Sequence, residues 1–189
     1  MRVSIRDATL DDAPALADIV IDSIRTAFRG RVPDRCLEWL TREESAANWR
    51  RSLGPGGHEE GRFLYVAETP DGQVVGCALG GPQPDEPGYR GELYLLGVLP
   101  AHQHRGIGRR LVAAVAERLA RAGIDSLLVR VLMVNPNRPF YERLGGRYLR
   151  EEPYDWNGVM FTMGVYGWPD TTTLRRLRYP GTRSKPDRT

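Results

Sequence analysis

The sequence has little cysteine, a single lysine and no long apolar run, and the first and last of these shortages each exclude a class of protein. Two cysteines, Cys36 and Cys77, are too few for a disulfide scaffold, and 189 residues bury enough apolar surface to fold without one. No stretch approaches the roughly 20 apolar residues of a membrane-spanning helix. Residues 1–13 contain acids where a secretion signal has its apolar segment. We therefore expect one soluble, cytoplasmic protein that does not contact a membrane.

The positive charge of the chain is concentrated at its C-terminus. The formal net charge is +3, but residues 175–189 hold six of the 27 basic residues and one of the 24 acids. The rest of the chain then has 21 basic and 23 acidic residues, so we expect no basic face and no nucleic-acid partner. The alternative is that the tail binds nucleic acid, in which case deleting residues 174–189 would abolish salt-dependent DNA retention.

The composition also changes near residue 168. From Pro169 onward Thr, Arg and Pro predominate. So few apolar side chains cannot offset the entropy lost on ordering the chain, which predicts disorder. We therefore divide the chain into a domain at residues 1–167 and a basic tail at 168–189, and expect that truncation from residue 169 would barely change the melting temperature.

Apolar periodicity predicts an α/β fold with a mixed sheet. Strands are expected where apolar residues alternate with polar ones or form short runs, and helices where they recur every three or four residues. The expected strands are 3–6, 63–68, 74–79, 92–99, 126–134, 148–152 and 159–166, and the expected helices are 9–30, 33–51, 107–122 and 138–144. This order predicts a central mixed β-sheet flanked by helices on both faces, with a parallel crossover through the third helix.

A glycine-containing loop joins the strand at 92–99 to the helix that follows it. Its residues are Gln103, His104, Arg105, Gly106, Ile107, Gly108 and Arg109. The two glycines let a ligand approach the backbone, and the first N–H groups of the helix have no partners within it, so they point at an anion. Because two arginines of the loop add positive charge, the segment favours a pyrophosphate.

Two better-known phosphate-binding loops do not fit this segment. A Walker A loop has four residues between its glycines and ends in Gly-Lys-Ser or Gly-Lys-Thr, whereas this loop has one residue between them and no lysine. The dinucleotide-binding fingerprint has Gly or Ala where Leu111 stands. The alternative left open by the loop alone is an ordinary glycine-rich helix start without a ligand.

Three motifs together resemble one enzyme family. They are ELYLLGVLP, QHRGIG shortly after it, and NPNRPFYERLGG about 30 residues further on, and they resemble the GCN5-related N-acetyltransferase (GNAT) family. The element order agrees from Arg2 to Tyr166. The resemblance implies the acyl-CoA N-acyltransferase fold, with acetyl-CoA as cosubstrate between two splayed strands. It implies that the pyrophosphate lies on residues 104–109 and that pantetheine lies against the backbone of Leu96, Gly97 and Val98.

The same resemblance implies roles for residues in the last motif. Tyr141 matches the tyrosine that the family commonly uses as general acid toward the departing CoA thiolate. The chemistry is compatible, because a thiol has a pKa of roughly 8.5 and a phenol one of about 10. The alternative is that Phe140 and Tyr141 only pack a short helix onto the sheet. Asn135 matches an asparagine near the pantetheine, although Asn137 lies close enough in sequence to take that position.

Glu92 is the candidate general base. It lies eleven residues before Gln103, which is the offset of the base glutamate in the histone-type members of the family. A carboxylate there could remove a proton from an ammonium substrate before the amine attacks the thioester. The alternatives are a polar strand-end residue without a catalytic role, or a base elsewhere, for which Glu68, Asp85 and Glu151 are candidates.

The expected activity is acetyl transfer from acetyl-CoA to a primary amine, by direct attack in a ternary complex. Backbone N–H groups near Gly97 and Val98 would stabilise the oxyanion. The alternative is a non-catalytic acyl-CoA-binding regulatory module. The partner is expected to be a small-molecule or peptide amine, and a homodimer is left open. No metal is expected, since His102 and His104 lack further ligands, and Cys77 fits a buried packing residue.

The acceptor amine is expected in the regions least like the family. These are the helical stretch with Trp39 and Trp49, the loop at 80–91 and the turn at 154–156. Acids in or near these regions favour a cationic amine, and they are Asp85, Glu86, Glu151, Glu152 and Asp155.

Overall fold

The computed structural model describes residues 3–38, 41–57 and 61–177. Its strands are β1 (Ser4–Asp7), β2 (Phe63–Glu68), β3 (Val74–Pro82), β4 (Gly91–Val98), β5 (Leu127–Leu132), β6 (Arg147–Trp156) and β7 (Val159–Trp168). Its helices are α1 (Ala13–Phe28), α2 (Arg35–Glu38), α3 (Arg42–Leu53), α4 (Ile107–Arg121), α5 (Arg138–Arg143) and α6 (Thr172–Arg176).

The helical stretch predicted at 33–51 consists of two helices, α2 and α3. Thr41 marks the start of the second, because its hydroxyl accepts a hydrogen bond from the Glu44 N–H and caps the helix. Trp39, one of the two tryptophans expected near the acceptor, lies outside the described residues. Trp49 lies in α3 and is partly buried against the core between α1 and the sheet.

The seven strands form one mixed sheet in the order β1-β2-β3-β4-β5-β7-β6, which confirms the predicted sheet. The β4–β5 pair is parallel and the other neighbours are antiparallel. The register of β4 and β5 consists of a single pair, Glu92 opposite Leu128. Beyond that pair the two strands separate, so the sheet contains a gap that opens toward the C-terminal ends of both strands.

The two faces of the sheet are covered by different helices. On one face, the apolar stripe of α4 packs with Leu93, Val129 and Val131 in the main core. On the other face, α1 packs its Leu16 and Ile19 against β2 and β3. Each fully buried aliphatic side chain contributes about 1.5 to 3 kcal/mol of transfer free energy. The helices therefore fix the positions of β4 and β5 from both sides, including where they are not paired with each other.

The chain remains folded after β7, so the disorder predicted from Pro169 is wrong for residues 169–177. Leu174 in α6 is 0% exposed and belongs to the main core beside α4. The Thr171 N–H also donates to the Asp125 carbonyl at 2.9 Å. Composition missed this segment because two apolar residues, Leu174 and the partly buried Leu177, are enough to dock one short helix. Residues 178–189 of the predicted tail lie outside the described residues.

Leu174→Ala is expected to lower the free energy of unfolding by about 2 to 5 kcal/mol, because it leaves a cavity in a closely packed core. Urea titration followed by circular dichroism measures this change. Thr173→Ala, one residue earlier and exposed, is the control and should stay within about 0.5 kcal/mol of the parent. Equal midpoints for the two variants would show that α6 does not contribute to the core.

Candidate active site

The end of β4 borders the gap in the sheet. Leu96, Gly97 and Val98 pair with β3 on one side, while their other edge lies beyond the single β4–β5 pair. A Cβ on Gly97 would lie 2.8 Å from the Ile19 methyl carbon of α1, so close packing of the helix requires glycine there. The pantetheine positions suggested by the resemblance are therefore backbone positions with an unpaired edge.

The Val98 carbonyl anchors the start of the loop. It accepts hydrogen bonds from the Ser23 hydroxyl at 3.2 Å and from the Gln103 side-chain amide at 3.1 Å. These two contacts connect α1, β4 and the first residue of the candidate pyrophosphate loop. Gln103 therefore holds the start of the loop against the end of β4.

The loop presents the positive end of α4. His104 (φ 58°) and Gly106 (φ 77°) have left-handed backbones, and Gly106 is the N-cap of α4, with no side chain capping the helix. The first turn contains no acid, and Arg105 and Arg109 beside it are exposed. Because uncapped N–H groups and the helix dipole both favour negative charge, this segment is suited to binding an anion.

Helix α5 packs directly against the loop. A Cβ on Gly108 would lie 3.4 Å from the Phe140 ring and 3.8 Å from a Leu96 methyl carbon, so these three residues are in close proximity. The turn that leads into α5 is closed by the Asn137 N–H, which donates to Asn135 Oδ1 at 2.9 Å. Asn135 therefore shapes the approach to α5, and its predicted contact with pantetheine stays a prediction.

Tyr141 of α5 is a buried phenol. Its side chain belongs to the core, the residue is 9% exposed, and its ring lies 6.3 Å from the Tyr166 ring in a stacked arrangement. Among the described residues the hydroxyl has no hydrogen-bond partner, and burial is the only cause of its pKa shift. Burial raises the pKa of Tyr141 to about 12, so its proton is retained throughout the neutral pH range.

Tyr166 supports the ring of Tyr141, and sequence analysis did not identify it. Its hydroxyl accepts a hydrogen bond from Arg138 Nη1 at 3.2 Å and lies 3.2 Å from Glu142 Oε1, to which it donates. Both partners belong to α5, the helix that carries Tyr141. The alternation of β7 could have indicated that Tyr166 is buried, but not which helix it contacts.

Glu92 is a buried carboxylate with one partner. It is 6% exposed, and its Oε2 lies 2.6 Å from Arg130 Nη1. Burial raises the pKa of Glu92, and the positive charge of Arg130 opposes that rise. Its Oε1 forms no hydrogen bond with the described residues, and 8% of the side chain is exposed. One oxygen is thus fixed while the other is available.

Two of the five acids expected to attract a cationic amine, Glu86 and Glu152, are paired with arginines. Glu152 accepts from Arg130 Nε at 2.7 Å, and Arg150 forms a bidentate pair with Glu86 at 2.7 Å for each bond. Glu151 accepts from the Tyr148 hydroxyl instead. The expected preference for a cationic amine is therefore weakened. The sequence prediction omitted the two arginines because their partners lie far away along the chain.

Glu92 and Tyr141 lie on opposite faces of the sheet. Val129 and Val131 pack into the core on the α4 side, so Arg130 between them points to the other face, where it meets Glu92. Tyr141 belongs to the α4-side core. The gap between β4 and β5 therefore lies between the candidate base and the candidate acid.

Other candidate chemistry is absent from the described part of the chain. Within residues 3–38, 41–57 and 61–177, no three His, Cys, Asp or Glu side chains come together as a metal site requires. None of the helices in these ranges could cross a membrane. Cys77 is fully buried, and burial raises its pKa to about 12, so it is an unreactive thiol.

A cleft between α1 and α3 adjoins the expected acceptor region. It has a volume of about 520 Å³. Its lining includes Val20, Ile24, Ser45, Asn48 and Trp49. Trp49 thus lies at a concave surface, as expected for an acceptor region.

The sequence matches one family model and several curated proteins. The model described as acetyltransferase (GNAT) family matches residues 22–146. The uncharacterized N-acetyltransferase YuaI of Bacillus subtilis is 33% identical over 177 residues, which cover 93% of this chain and 98% of that protein. Mycothiol acetyltransferase of Rhodococcus erythropolis is 30% identical over 151 residues, which cover 71% of this chain but 50% of that protein.

Solved structures share the fold. The PaiA N-acetyltransferase of Thermoplasma acidophilum, in complex with coenzyme A, has a TM-score of 0.69 at 20% identity, covering 87% of this chain and 98% of that one. YncA of Salmonella typhimurium, described as a putative acetyltransferase with its cofactor acetyl-CoA, has a TM-score of 0.62 at 20% identity, covering 89% and 94%. These similarities confirm the predicted acyl-CoA N-acyltransferase fold.

Proposed function

Because this chain belongs to the acetyltransferase (GNAT) family and uses acetyl-CoA as its cosubstrate, we propose that it acetylates a primary amine by direct attack in a ternary complex. The observation that carries the proposal is the gap between β4 and β5, which has the uncapped start of α4 at its open end and Glu92 at its closed end. No covalent enzyme intermediate is required. A cytoplasmic location fits this activity and is part of the proposal.

The cofactor would bind along the gap. The pyrophosphate would bind residues 104–109, where uncapped N–H groups and two arginines favour phosphate oxygens. Pantetheine would follow the unpaired edge of Leu96, Gly97 and Val98, and Asn135 would lie near it at the end of β5. The backbone N–H of Val98, which points away from β3, would then donate to the oxyanion that forms as the amine attacks the thioester, while the Gly97 N–H points toward β3.

Proton transfer would be divided between the two faces of the sheet. Glu92 would accept the proton of the ammonium, and Tyr141 would donate one to the leaving thiolate. Burial raises the pKa of Tyr141 to about 12, so the phenol would keep its proton until the thiolate leaves.

The acceptor would be a small-molecule or peptide amine held near α3 and the turn between β6 and β7. The mycothiol acetyltransferases that this chain resembles are twice as long as the matched region, so their name supports amine acetylation and nothing narrower. A non-catalytic acyl-CoA-binding module is disfavoured, because it has no need for an accessible carboxylate oxygen on Glu92 or an unpartnered hydroxyl on Tyr141.

Thiol release from acetyl-CoA, measured with a thiol-reactive dye across polyamines, aminoglycosides, amino acids and peptide N-termini, tests the proposal. Release should depend on the amine, and the tertiary-amine analogue of any substrate should be inactive. Initial rates with both substrates varied should give intersecting double-reciprocal lines. Parallel lines with an acetylated protein would contradict direct attack, and tight CoA binding without release for any amine would favour the regulatory module.

A further inference from the structure

Arg130 occupies an unusual position for an arginine, in the middle of an interior strand. Its neighbours Val129 and Val131 are buried in the core, and its own side chain points to the opposite face of the sheet. There the guanidinium contacts carboxylates from other elements. Nη1 lies 2.6 Å from Glu92 of β4, and Nε lies 2.7 Å from Glu152 of β6.

These two contacts fix the plane of the guanidinium. A third carboxylate, Glu86 of the β3–β4 loop, lies 3.7 Å from Nη2 and limits rotation further. An arginine held at both of its edges in turn fixes the carboxylate that it contacts, because its N–H groups have set directions. Among the described residues Glu92 is thus hydrogen-bonded through Oε2 alone, and its Oε1 forms no hydrogen bond.

The charge of Arg130 is the largest influence that favours the ionised form of Glu92. Burial acts in the opposite direction and prevails, so the pKa of Glu92 lies above its ordinary value. Of the other groups facing Glu92, Arg62 before β2 favours the ionised form and Glu152 disfavours it. Removing Arg130 would leave burial less opposed, and the pKa of Glu92 would rise further.

We propose that Arg130 is the positioning residue for the base: it holds one oxygen of Glu92 and leaves the other oxygen to receive the ammonium proton. This role rests on the acetyl transfer proposed above. It assigns to β5 a part in the chemistry that none of the three family-like motifs contains.

Three variants test this role through the pH dependence of kcat/KM for the best amine. In Arg130→Gln the rise of activity on the acid side of the pH profile should move to higher pH by about one to three units, because Glu92 would lose its proton less readily. Activity lost at pH 7 should therefore return at higher pH. In Arg130→Lys the charge remains, so the acid side of the pH profile should stay near its position in the parent. Its kcat should fall about tenfold, because a lysine cannot contact Glu92 and Glu152 with the fixed geometry of a guanidinium. Arg121→Gln is the control and should keep the parent profile, since Arg121 is exposed and pairs with Glu117 of its own helix.

Glu92→Gln separates the possible failures. It should abolish the acid-side pH dependence, and Arg130→Gln in that background should change the profile no further. Acetyl-CoA affinity, measured by calorimetry, should stay within about twofold throughout, since Arg130 lies away from the loop. If Arg130→Gln does not fold, Arg130→Lys still tests the proposal. A kcat equal to that of the parent in Arg130→Lys would by itself overturn it.

The outcomes are distinguishable. Suppose that Glu92→Gln loses the acid-side pH dependence but Arg130→Gln keeps that of the parent. This result would overturn the role of Arg130 and leave the proposed acetyl transfer intact. A parent-like profile in Glu92→Gln would overturn both the base and its positioning residue. A parent protein that releases no thiol with any amine would overturn the proposed function itself.

Discussion

Tyr141→Phe is expected to reduce turnover by a factor on the order of 10² to 10⁴ while acetyl-CoA affinity is unchanged. The substitution removes one hydroxyl from a ring that is packed against Tyr166 and Phe140, so the fold and the cofactor site should persist. Because the hydroxyl has no partner among the described residues, its loss leaves no polar group there unpaired. Steady-state rates and calorimetry with acetyl-CoA measure the two quantities.

Tyr148→Phe provides the control for this substitution. Tyr148 is 48% exposed, and within the described ranges its hydroxyl bonds to Glu151 alone, so the variant should have the turnover of the parent. Equal rates in Tyr141→Phe and Tyr148→Phe would remove Tyr141 from the mechanism. The thiolate would then take its proton from water.

Gly106→Val is expected to weaken CoA binding by on the order of 100-fold, as the loss of two charge-assisted hydrogen bonds of about 1.5 kcal/mol each would do. Gly106 has a φ of 77°, which a β-branched residue adopts only with strain, and it is the residue that directs the first N–H groups of α4. Relaxing that strain rotates the N–H groups away from the pyrophosphate. Calorimetry with CoA gives the affinity, and thermal unfolding shows that the fold survives.

Gly123→Val is a closely matched control. Gly123 follows the other end of α4, has a φ of 74°, and a Cβ there would have no atom within 4 Å. Both variants should lose similar stability, about 1 to 2 kcal/mol, but Gly123→Val should bind CoA like the parent. Parent-like affinity in Gly106→Val would mean that the pyrophosphate binds elsewhere.

The parts of the site whose geometry depends on residues adjacent in the sequence could be predicted from the sequence. The loop from Gln103 to Arg109 is such a part, because its glycines and the following helix determine its geometry locally. Tyr141 was identified by a motif within a single helix. Arg130 was not, since a lone charged residue in an apolar strand does not reveal partners that are 38 residues before it and 22 after it. Strand order brings those partners together.

The C-terminal helix α6 also depends on residues that are distant in the sequence. Leu174 stands among polar residues, so composition predicts disorder there, and only the position of α4 makes a buried site for it. The mixed sheet was predicted correctly because each strand has its own periodicity. The gap between β4 and β5 is a property of pairing, which no single strand encodes.

The placement of Glu92 and Tyr141 on opposite faces of the sheet has a consequence for substrate access. If each acts as proposed, acetyl-CoA and the amine would enter by separate routes and meet only where the thioester lies between β4 and β5. A long acceptor such as a peptide terminus would then need to insert no more than its amino group. Free CoA could leave along the α4 side while the acetylated product is still bound on the other, so neither product would block the departure of its partner.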